Sequence, residues 1–496
     1  MNDSKLLTTC RSWWMKDDPI TQQFKELVGQ HSTEVLIIGA GITGLTTAIE
    51  LAERGHVVTL CEAQAIGAGT TAGSSAHLDA HPEMTPLKLI ATLGENDAIA
   101  YTALRLAAID EIEKRTAGKA DFARVSAYQY SENSDDKPEL WKNMDAAQKL
   151  GLSVSWCDNV PISRAACGYK IANMARFDCR KYLARLLAIA IDLGVTIFEK
   201  TLVAGPIEAH VTSLSAGTGQ VEFKHVVCAT HCSFTSGNFL YAATPPYQSY
   251  IAVAKVRRPP EDALFWDNSD PYYYIRRVGE ENESLILVGG CDHRTGCGDS
   301  VSAMKGVEDW TRERFEVESI EQRWSAEFFE PTDGLPMIGL GPGKKNIWVA
   351  TGLSGVGLTM GTAAAKLIAD GIEGKTMALK DAFSPSRMAI SKDWIVEQTT
   401  VVANLSERIW PAGDIDIPEL GKGKGLVGKV DGKHVAICRD INGCVHKLDP
   451  ICPHMGGVLH WNEAEQTWDC PLHGGRFTAA GKRLYGPPET ELKTVI

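Results

Sequence analysis

The sequence has no long apolar run, no block of basic residues and no apolar signal segment near its N-terminus. A membrane-spanning helix needs about 20 apolar residues in succession, and a secretory signal needs an apolar core. The formal net charge is −12, with 50 Lys and Arg against 62 Asp and Glu, so the counterion release that drives nucleic-acid binding is missing. We therefore expect no membrane span, no nucleic-acid partner and a cytoplasmic location.

Disulfide bonds are not expected, although the chain has 13 cysteines. These cysteines are scattered through a long chain, and thiols stay reduced in the cytosol. The pairs Cys228/Cys232 and Cys291/Cys297 are predicted to be small buried residues. Two other cysteines belong to a motif described below.

The chain is long enough for more than one core, since single domains usually have about 100 to 250 residues. The alternation of strand and helix patterns predicts an α/β nucleotide-binding domain in three pieces, an inserted α+β domain, and a small all-β domain. Helical patterns dominate from about residue 80 to 175, and residues 236–330 are β-rich. The predicted boundaries are an extension over 1–32, a large domain over 33–395 with nucleotide-binding pieces at 33–80, 176–235 and 331–390 and inserted pieces at 81–175 and 236–330, a linker over 396–409, and the small domain over 410–496.

A glycine motif lies between a predicted strand over 34–38 and a predicted helix over 45–54. Gly39, Gly41 and Gly44 have the spacing G-x-G-x-x-G, which permits a tight turn, close approach of a pyrophosphate, and close packing of helix on strand. Glu62 ends the next predicted strand, where a carboxylate can accept hydrogen bonds from a ribose. This pattern predicts a dinucleotide site for NAD or FAD.

Two short motifs near the C-terminus each pair a cysteine with a histidine. Gly-Gly follows Cys470-x-x-His473 directly and follows Cys452-x-His454 after one intervening residue, Met455. Two thiolates and two imidazoles suit a [2Fe-2S] cluster in which histidines replace cysteines on one iron, and the same residue types also suit a zinc site. The similarity to the Rieske family over about residues 410–496 favours the cluster, with these four side chains as its ligands.

The Rieske resemblance also indicates a subtype. Gly457 and Leu472 stand where Rieske proteins of the high-potential respiratory type have one cysteine in each ligand loop. The resemblance therefore implies the ferredoxin or oxygenase subtype, toward the lower part of the roughly −150 to +300 mV range of Rieske centres.

Residues 33–390 resemble the D-amino-acid oxidase superfamily of FAD enzymes. Besides the glycine motif, the segments that carry the resemblance are 67–75, 175–183, 201–203, 226–230, 332–339, 350–359 and 383–387. The resemblance implies a Rossmann-like FAD domain of the glutathione-reductase type, an inserted substrate domain, and FAD rather than NAD as the dinucleotide.

The same resemblance implies how FAD is held. Members with covalently attached FAD have a histidine at the position of Gly73, so we expect non-covalent FAD, with His77 four residues away. The residues predicted to bind FAD are Gly39, Gly41, Gly44, Glu62, Ala63, Thr70, Thr71, Val203, Thr230, Gly352, Gly355, Gly357 and Thr359.

The implied activity is oxidation of the C–N bond of an amine or amino acid by hydride transfer to flavin. Electrons would then leave singly through the cluster to a one-electron acceptor, which could be a protein or a small carrier. Tyr272, Tyr274 and Arg276 share one face of a predicted strand, where the arginine could pair with a substrate carboxylate. Tyr274, Arg276 and Tyr250 are the predicted catalytic residues, and His231 and His293 are further candidates.

Three alternatives compete with this interpretation. An NAD(P)H-dependent ferredoxin reductase fused to a Rieske domain should show a second G-x-G-x-x-G motif, and we expect none besides the one at residues 39–44. A redox carrier or sensor would not need an inserted domain of this size. A Rieske oxygenase could use His77, Asp79 and His81 as iron ligands, but that class has a longer spacing and its Rieske domain first.

Overall fold

The computed structural model describes residues 12–204, 210–232, 238–388, 392–408 and 413–495. Within these ranges no helix combines the length and the apolar composition that crossing a membrane requires. The helices are α1 (Ile42–Glu53), α2 (Thr70–Gly73), α3 (Pro86–Leu93), α4 (Glu95–Thr116), α5 (Lys137–Lys149), α6 (Cys179–Asp192), α7 (Asn238–Ala243), α8 (Ser300–Arg314), α9 (Gly357–Ile372) and α10 (Lys392–Ser406).

The strands form five sheets within the described residues. They are β1 (Gln30–Ser32), β2 (Val35–Ile38), β3 (Val58–Cys61), β4 (His77–Leu78), β5 (Ala123–Ser131), β6 (Val154–Cys157), β7 (Cys167–Arg176), β8 (Thr196–Phe198), β9 (Val203–Ala204), β10 (Ser213–Ala216), β11 (Gly219–Glu222), β12 (His225–Cys228), β13 (Pro246–Val256), β14 (Ala263–Asp267), β15 (Tyr273–Val278), β16 (Leu285–Arg294), β17 (Val317–Phe329), β18 (Met337–Leu340), β19 (Ile347–Thr351), β20 (Gly425–Val430), β21 (Lys433–Arg439), β22 (Val445–Leu448), β23 (His460–Asn462), β24 (Thr467–Asp469), β25 (Arg476–Thr478) and β26 (Arg483–Tyr485).

A six-stranded sheet with the order β18-β19-β12-β2-β3-β8 carries the glycine motif. It is parallel except for the edge strand β18. Every residue of β2, β3 and β19 is buried, as expected of parallel strands covered on both faces. Strands far apart in sequence are neighbours here, so their carboxyl ends create one crevice.

A four-stranded sheet has the order β1-β11-β10-β9. Its strands directly precede β2 and β12 of the parallel sheet along the chain. Its edge strand β1 pairs in parallel with β11. Thr33 N, directly after β1, donates to Glu222 O (2.9 Å), and Glu34 N donates to Val57 O (3.1 Å). These bonds connect the small sheet to the start of β2.

The inserted domain is built on a nine-stranded sheet made from three stretches of the chain. The edge strand β4 comes from residues 77–78, β5, β6 and β7 come from residues 123–176, and β13 to β17 come from residues 246–329. The predicted helical character of 80–175 is thus correct for α4 and α5 but misses three strands. Those strands pair with one another and with β14, so tertiary pairing and not local periodicity sets their conformation.

The C-terminal domain consists of a three-stranded and a four-stranded antiparallel sheet. The loop between β22 and β23 carries Cys452 and His454, and the loop between β24 and β25 carries Cys470 and His473. Helix α10 covers most of the predicted linker over 396–409. Asn404 of α10 exchanges two hydrogen bonds of 3.0 Å with the backbone of Val458, so this helix is fastened to the small domain.

The described part of the N-terminal extension packs along the parallel-sheet domain. Trp14 Nε1 donates to the carbonyl oxygen of Ser74 (2.7 Å), and both carboxylate oxygens of Asp18 accept bonds of 2.7 Å from Arg180. Burial would raise the pKa of Asp18, but the hydrogen bonds and charge of Arg180 lower it. The extension therefore braces the segment that follows α2.

Trp14→Ala should lower the free energy of unfolding by about 3 to 5 kcal/mol, because a tryptophan buried in a core leaves a large cavity. Trp14 is 5% exposed, whereas the neighbouring Trp13 is half-buried. Trp13→Ala is the matched control and should cost less. Urea denaturation followed by circular dichroism measures both, and equal losses would contradict the bracing role of Trp14.

Candidate active site and cluster site

The glycine motif forms a tight turn that only glycine fits. Gly39 has φ +100°, and a Cβ there would lie 2.5 Å from the carbonyl oxygen of Ala229. A Cβ on Gly44 would lie 1.8 Å from the carbonyl oxygen of Gly39. Gly41 is the N-cap of α1, so the first backbone N–H groups of this helix face the crevice at the end of β2.

Glu62 lies at the end of β3 beside this turn. Its carboxylate accepts hydrogen bonds from Ala40 N (2.8 Å) and Gln64 N (2.9 Å). Burial raises its pKa against the opposing effect of these bonds. The carboxylate is therefore fixed where the sequence predicts a ribose-binding group.

A cavity of about 680 Å³ extends from the glycine turn to the inserted domain, within the size range of cofactor and ligand sites. Most residues predicted to bind FAD line it. They are Gly39, Gly41, Glu62, Ala63, Thr70, Thr71, Val203, Thr230, Gly355 and Gly357.

The other three predicted residues lie behind the lining. Gly44 packs against Gly39, and Gly352 (φ +60°) packs against Pro331. Thr359 Oγ1 donates to the carbonyl oxygen of Val356 (3.2 Å). These residues shape the walls, and whether they contact FAD stays a prediction.

Little free space surrounds the α-carbon of Gly73. A Cβ there would be 3.2 Å from Cβ of Ala326, and its carbonyl oxygen accepts from Trp324 Nε1 (2.7 Å). His77 does line the cavity. Non-covalent FAD stays a prediction.

The inserted domain supplies an aromatic end of the cavity. Trp266, Tyr272, Tyr274 and Asp292 line it, and Tyr274 lies across Gly289, where a Cβ would be 2.1 Å from the tyrosine ring. Tyr274 OH and Ser249 Oγ are hydrogen-bonded (2.8 Å). The predicted shared face of Tyr272 and Tyr274 is therefore the face that meets the cavity.

Asp292 was not predicted from the sequence, although it adjoins the candidate His293. Its Oδ2 accepts from Tyr272 OH (3.1 Å), and its Oδ1 is buried without a hydrogen-bond partner among the described residues. Burial raises the pKa of Asp292 to about 6, against the lowering effect of Ser249 and Tyr272. At neutral pH it is a carboxylate with one unsatisfied oxygen, which suits a cationic ligand.

A second carboxyl, Glu83, borders the cavity beside the glycine-rich turn before α9. Both of its oxygens accept from Gly355 N (3.0 and 2.9 Å). Burial and the charge of Glu330 raise the pKa of Glu83 to about 8. This group is therefore largely protonated at neutral pH.

Arg276 and Tyr250 lie outside the lining of the cavity. Arg276 is buried and donates to the carbonyl oxygens of Ala76 and Phe177, because it follows Tyr274 along β15 to the region beneath residues 75–76. Tyr250 is buried in the apolar cluster of the inserted sheet. The structure thus brings only Tyr274 of the three predicted catalytic residues to the cavity.

Of the two candidate histidines, one lines the cavity and the other does not. His231 lines the cavity, and its Nε2 lies 3.0 Å from the carbonyl oxygen of Glu327. His293 packs beside Tyr250 and does not line the cavity.

His77, Asp79 and His81, the alternative iron ligands, are engaged with protein groups. Asp79 forms an ion pair with Arg105 (2.7 Å), and His81 Nε2 lies 2.7 Å from Tyr169 OH. Burial lowers the pKa of both histidines to about 3. These three residues build a wall of the cavity.

The two predicted ligand loops have the same backbone structure. Cys452 N donates to Gly457 O and Cys470 N donates to Gly475 O, both at 2.8 Å. The first glycine of each Gly-Gly pair has positive φ, +79° at Gly456 and +68° at Gly474, which explains why glycine is present there.

The ligand side chains meet between these loops. Cys452 and Cys470 are buried in one cluster of the small domain, and the His454 and His473 rings lie 5.1 Å apart. Burial lowers the pKa of His454 to about 4 and of His473 to about 3, so both are in the neutral form that binds metal.

Glycines leave the room that a cluster needs. A Cβ at Gly475 would lie 3.5 Å from Cys452 Sγ, and one at Gly457 would lie 2.9 Å from Cys470 Sγ. The same Cβ at Gly457 would lie 2.8 Å from Leu472. The two positions that carry cysteines in the respiratory type are thus in contact, and Leu472 fills the space.

The histidine ligands face the flavin-binding side of the molecule. The Tyr241 ring lies 4.9 Å from the His454 ring and 4.6 Å from the His473 ring. Tyr241 forms a buried cluster with Cys232 and Phe329, both of which line the cavity. One aromatic side chain thus separates the cavity wall from the cluster ligands.

The cysteine predictions hold in part. The described cysteines are free, and Cys228 and Cys232 are buried, but Cys291 and Cys297 are partly exposed. The prediction of burial for that second pair is wrong because both lie near the end of β16, at the border of the inserted sheet.

The expectation of no second G-x-G-x-x-G motif is wrong, because the spacing recurs at Gly423, Gly425 and Gly428. The structure places these glycines at the start of β20, which leads into the antiparallel strand β21. They lack the strand-to-helix turn that a dinucleotide site needs.

Comparison with known proteins identifies both domains. Residues 34–371 match the family model of FAD dependent oxidoreductases, DAO, and residues 414–495 match the Rieske [2Fe-2S] domain. These matches confirm the predicted fold class and the two predicted cofactors, whose sites have the glycine turn, Glu62 and the glycine-lined ligand loops described above.

Individual relatives agree with this assignment. The Rieske 2Fe-2S iron-sulfur protein YhfW of Bacillus subtilis (strain 168) is 30% identical over 486 residues, covering 95% of each chain. The crystal structure of glycine oxidase from Geobacillus kaustophilus superposes with a TM-score of 0.60 at 19% identity, covering 73% of this chain and all of that one. The crystal structure of L-proline dehydrogenase from P. horikoshii superposes with a TM-score of 0.60 at 17% identity, covering 72% of this chain and 98% of that one. The chain therefore belongs to the DAO family of FAD-dependent oxidoreductases and carries a Rieske [2Fe-2S] domain behind its oxidoreductase domain.

Proposed function

We propose that this oxidoreductase is a dehydrogenase that oxidises the C–N bond of an amine or amino acid and releases the electrons singly through its Rieske centre. The observation that carries the proposal is one continuous arrangement. A single cavity has the dinucleotide turn at one end and an acidic, aromatic pocket at the other, and its wall contacts the ring that covers His454 and His473.

When bound, FAD supplies an acceptor for an electron pair from the substrate carbon, and the cluster carries one electron at a time. The protein's own part is to bind the substrate and hold its proton. Asp292 Oδ1 is placed to bind an ammonium group and to accept its proton, because the carboxylate is buried and that oxygen has no partner among the described residues. Hydride loss requires the neutral amine, so this proton transfer prepares the substrate.

The charge of the pocket favours an amine over an amino acid. Among the described residues that line the aromatic end there is no lysine or arginine, and Arg276 is committed to backbone carbonyl groups. A substrate carboxylate would meet Asp292 without a cation beside it, which costs free energy. Oxidation of C–N bonds itself is supported by the names of the proteins that share the fold, glycine oxidase and L-proline dehydrogenase.

Tyr241 offers the route for electrons between the two sites. It joins Phe329, whose ring lies 4.8 Å from His231 in the cavity wall, to the rings of His454 and His473. We infer that electrons pass along this chain of aromatic rings and leave to an external one-electron acceptor. The cytoplasmic location predicted from the sequence stays a prediction.

Anaerobic mixing with a panel of amines should bleach the flavin absorbance, and NADH should not. Cys452→Ser should leave this bleaching intact but abolish electron transfer to external acceptors, because the variant loses a cluster ligand. Stopped-flow absorbance and acceptor reduction measure the two steps.

Cys444→Ser is the matched control, since Cys444 is exposed in the same domain and should behave as wild type. Bleaching of the flavin by NADH would favour an NAD(P)H-dependent ferredoxin reductase. Bleaching by neither NADH nor any amine would favour a redox carrier or sensor. Loss of bleaching in a folded Cys452→Ser variant would refute the exit role of the cluster.

The rate constant kcat/KM for an amine should fall about tenfold per pH unit below about 6, because protonation of Asp292 removes the carboxylate that binds the cation. Above that pH the carboxylate is present and this loss disappears. Asp292→Asn should lower kcat/KM by about 10- to 100-fold at pH 8. It should also abolish the fall of kcat/KM below about pH 6, which we call the acid limb of the pH profile.

Asp267→Asn serves as the comparison for Asp292→Asn. Asp267 also lines the cavity, but its oxygens accept from Ser269 Oγ and Tyr273 N, both at 2.7 Å. Its variant should retain the acid limb. If the acid limb of the kcat/KM profile persists in Asp292→Asn, a group other than Asp292 causes it and the assignment to Asp292 is wrong.

Tyr241→Leu should retain both cofactors and slow the reduction of the cluster after amine is added, because it removes the ring between the two sites. Tyr241→Phe keeps the ring and should react as fast as wild type. Rapid freeze-quench EPR of the reduced cluster measures the rate. An unchanged rate in Tyr241→Leu would exclude this route.

A further inference from the structure

The Rieske domain contributes a wall of the FAD cavity, which no motif in the sequence indicated. Arg483 and Tyr485 of β26, and Gly486, Pro488 and Glu489 of the loop that follows, line the cavity together with the glycine turn. Residues that lie beyond the second cluster loop in the sequence thus meet the dinucleotide site. We call residues 483–489 the closing segment.

The ionisable side chains around the cavity are mostly acidic. Eight carboxyl groups line it, of which Glu83 is largely protonated and Asp79 is paired with Arg105. Arg483 is the one lysine or arginine among the described lining residues. Its histidines do not compensate, because burial lowers the pKa of His77 and His81 to about 3 and of His231 to about 4. The two negative charges of a dinucleotide diphosphate would find a single cationic side chain here.

The guanidinium of Arg483 is held in place but keeps donors available. Its Nε donates to the carbonyl oxygen of Pro488, and its Nη2 donates to that of Gly486 (2.8 Å). Its Nη1 has no hydrogen bond to a described residue. Arg483 and Glu62 also attract each other, and both line the cavity that includes the glycine turn.

We propose that the Rieske domain completes the FAD site and that Arg483 is the cationic partner of the FAD phosphates. Arginine suits this role because its planar group presents several donors to phosphate oxygens. The inference rests on FAD as the cofactor and not on the substrate class proposed above.

The closing segment also touches the second ligand loop. Gly486 has φ +100°, and a Cβ there would lie 2.7 Å from the carbonyl oxygen of Gly474. A Cβ on Gly475 would lie 2.7 Å from Pro488. One short segment thus contacts the FAD cavity on one side and the loop of His473 on the other, so we expect FAD binding to affect the environment of the cluster.

The test uses full-length protein from which FAD has been removed and compares binding of FAD, ADP and adenosine. Arg483→Gln should weaken binding of FAD and ADP by about 10- to 100-fold, since it removes a charged hydrogen-bond donor. Binding of adenosine, which has no phosphate, should be unchanged. Isothermal titration calorimetry measures all three affinities, and EPR with iron analysis shows whether the cluster is present.

Arg439→Gln is the matched control. Arg439 lies in the same domain, is half-buried like Arg483, and likewise donates to two carbonyl oxygens, those of Leu420 and Ile417, but it does not line the cavity. This variant should bind FAD and ADP as wild type does. A second readout is the EPR spectrum of the reduced cluster, which should change when FAD is removed from the wild-type protein.

Unchanged ADP affinity in Arg483→Gln, or an equal loss of ADP and adenosine, would overturn the phosphate role. If Arg483→Gln does not assemble the cluster, Arg483→Lys decides, because retained preference for ADP over adenosine supports the proposal and its loss refutes it. These measurements need no substrate. Failure of every amine to bleach the flavin would therefore leave them untouched, and the reverse also holds.

Discussion

The arrangement of the two cofactor sites depends on a buried ionic network around Arg476 of β25. Its guanidinium forms ion pairs with Glu465 and with Asp469 (2.9 Å). Glu465 in turn accepts from Gln248 Nε2 (2.9 Å) and Ser325 N (3.1 Å) of the inserted sheet. Removing one member of such a network leaves a buried charge without its partner, at a cost of about 3 to 5 kcal/mol. The network therefore holds the Rieske domain in one position on the flavin-binding domain.

This fixed position gives several separate observations one cause. With the Rieske domain docked on β13 and β17, its histidine loops lie against Tyr241 and its closing segment reaches the glycine turn. Glu327 of β17 shows how close the docking is, since a Cβ at Gly474 would lie 2.5 Å from its carboxyl oxygen. The cavity wall, Tyr241 and the cluster ligand loops are thus parts of one interface.

The features that the sequence predicted well are those whose residues lie close together in the chain. The turn at Gly39 needs glycine for its own backbone geometry, and the ligand loops at Cys452 and Cys470 carry their glycines next to the ligands, so both could be recognised without a structure. The roles proposed for Asp292, Tyr241 and Arg483 could not be recognised in this way, because each depends on residues distant in the chain. Arg276 illustrates the opposite error. It does share a strand face with Tyr274, but that face continues beyond the cavity and under residues 75–76.

The contact of Tyr241 with both histidine ligands also bears on how turnover depends on concentration. Because the two cofactor sites belong to one chain and Tyr241 lies between the cavity wall and the cluster ligands, the electron transfer proposed above would need no diffusional encounter. That internal step would be first order at any dilution of the protein. Only the final transfer to another molecule would be bimolecular, so the rate at which each enzyme molecule loses its electrons would depend on the concentration of the acceptor.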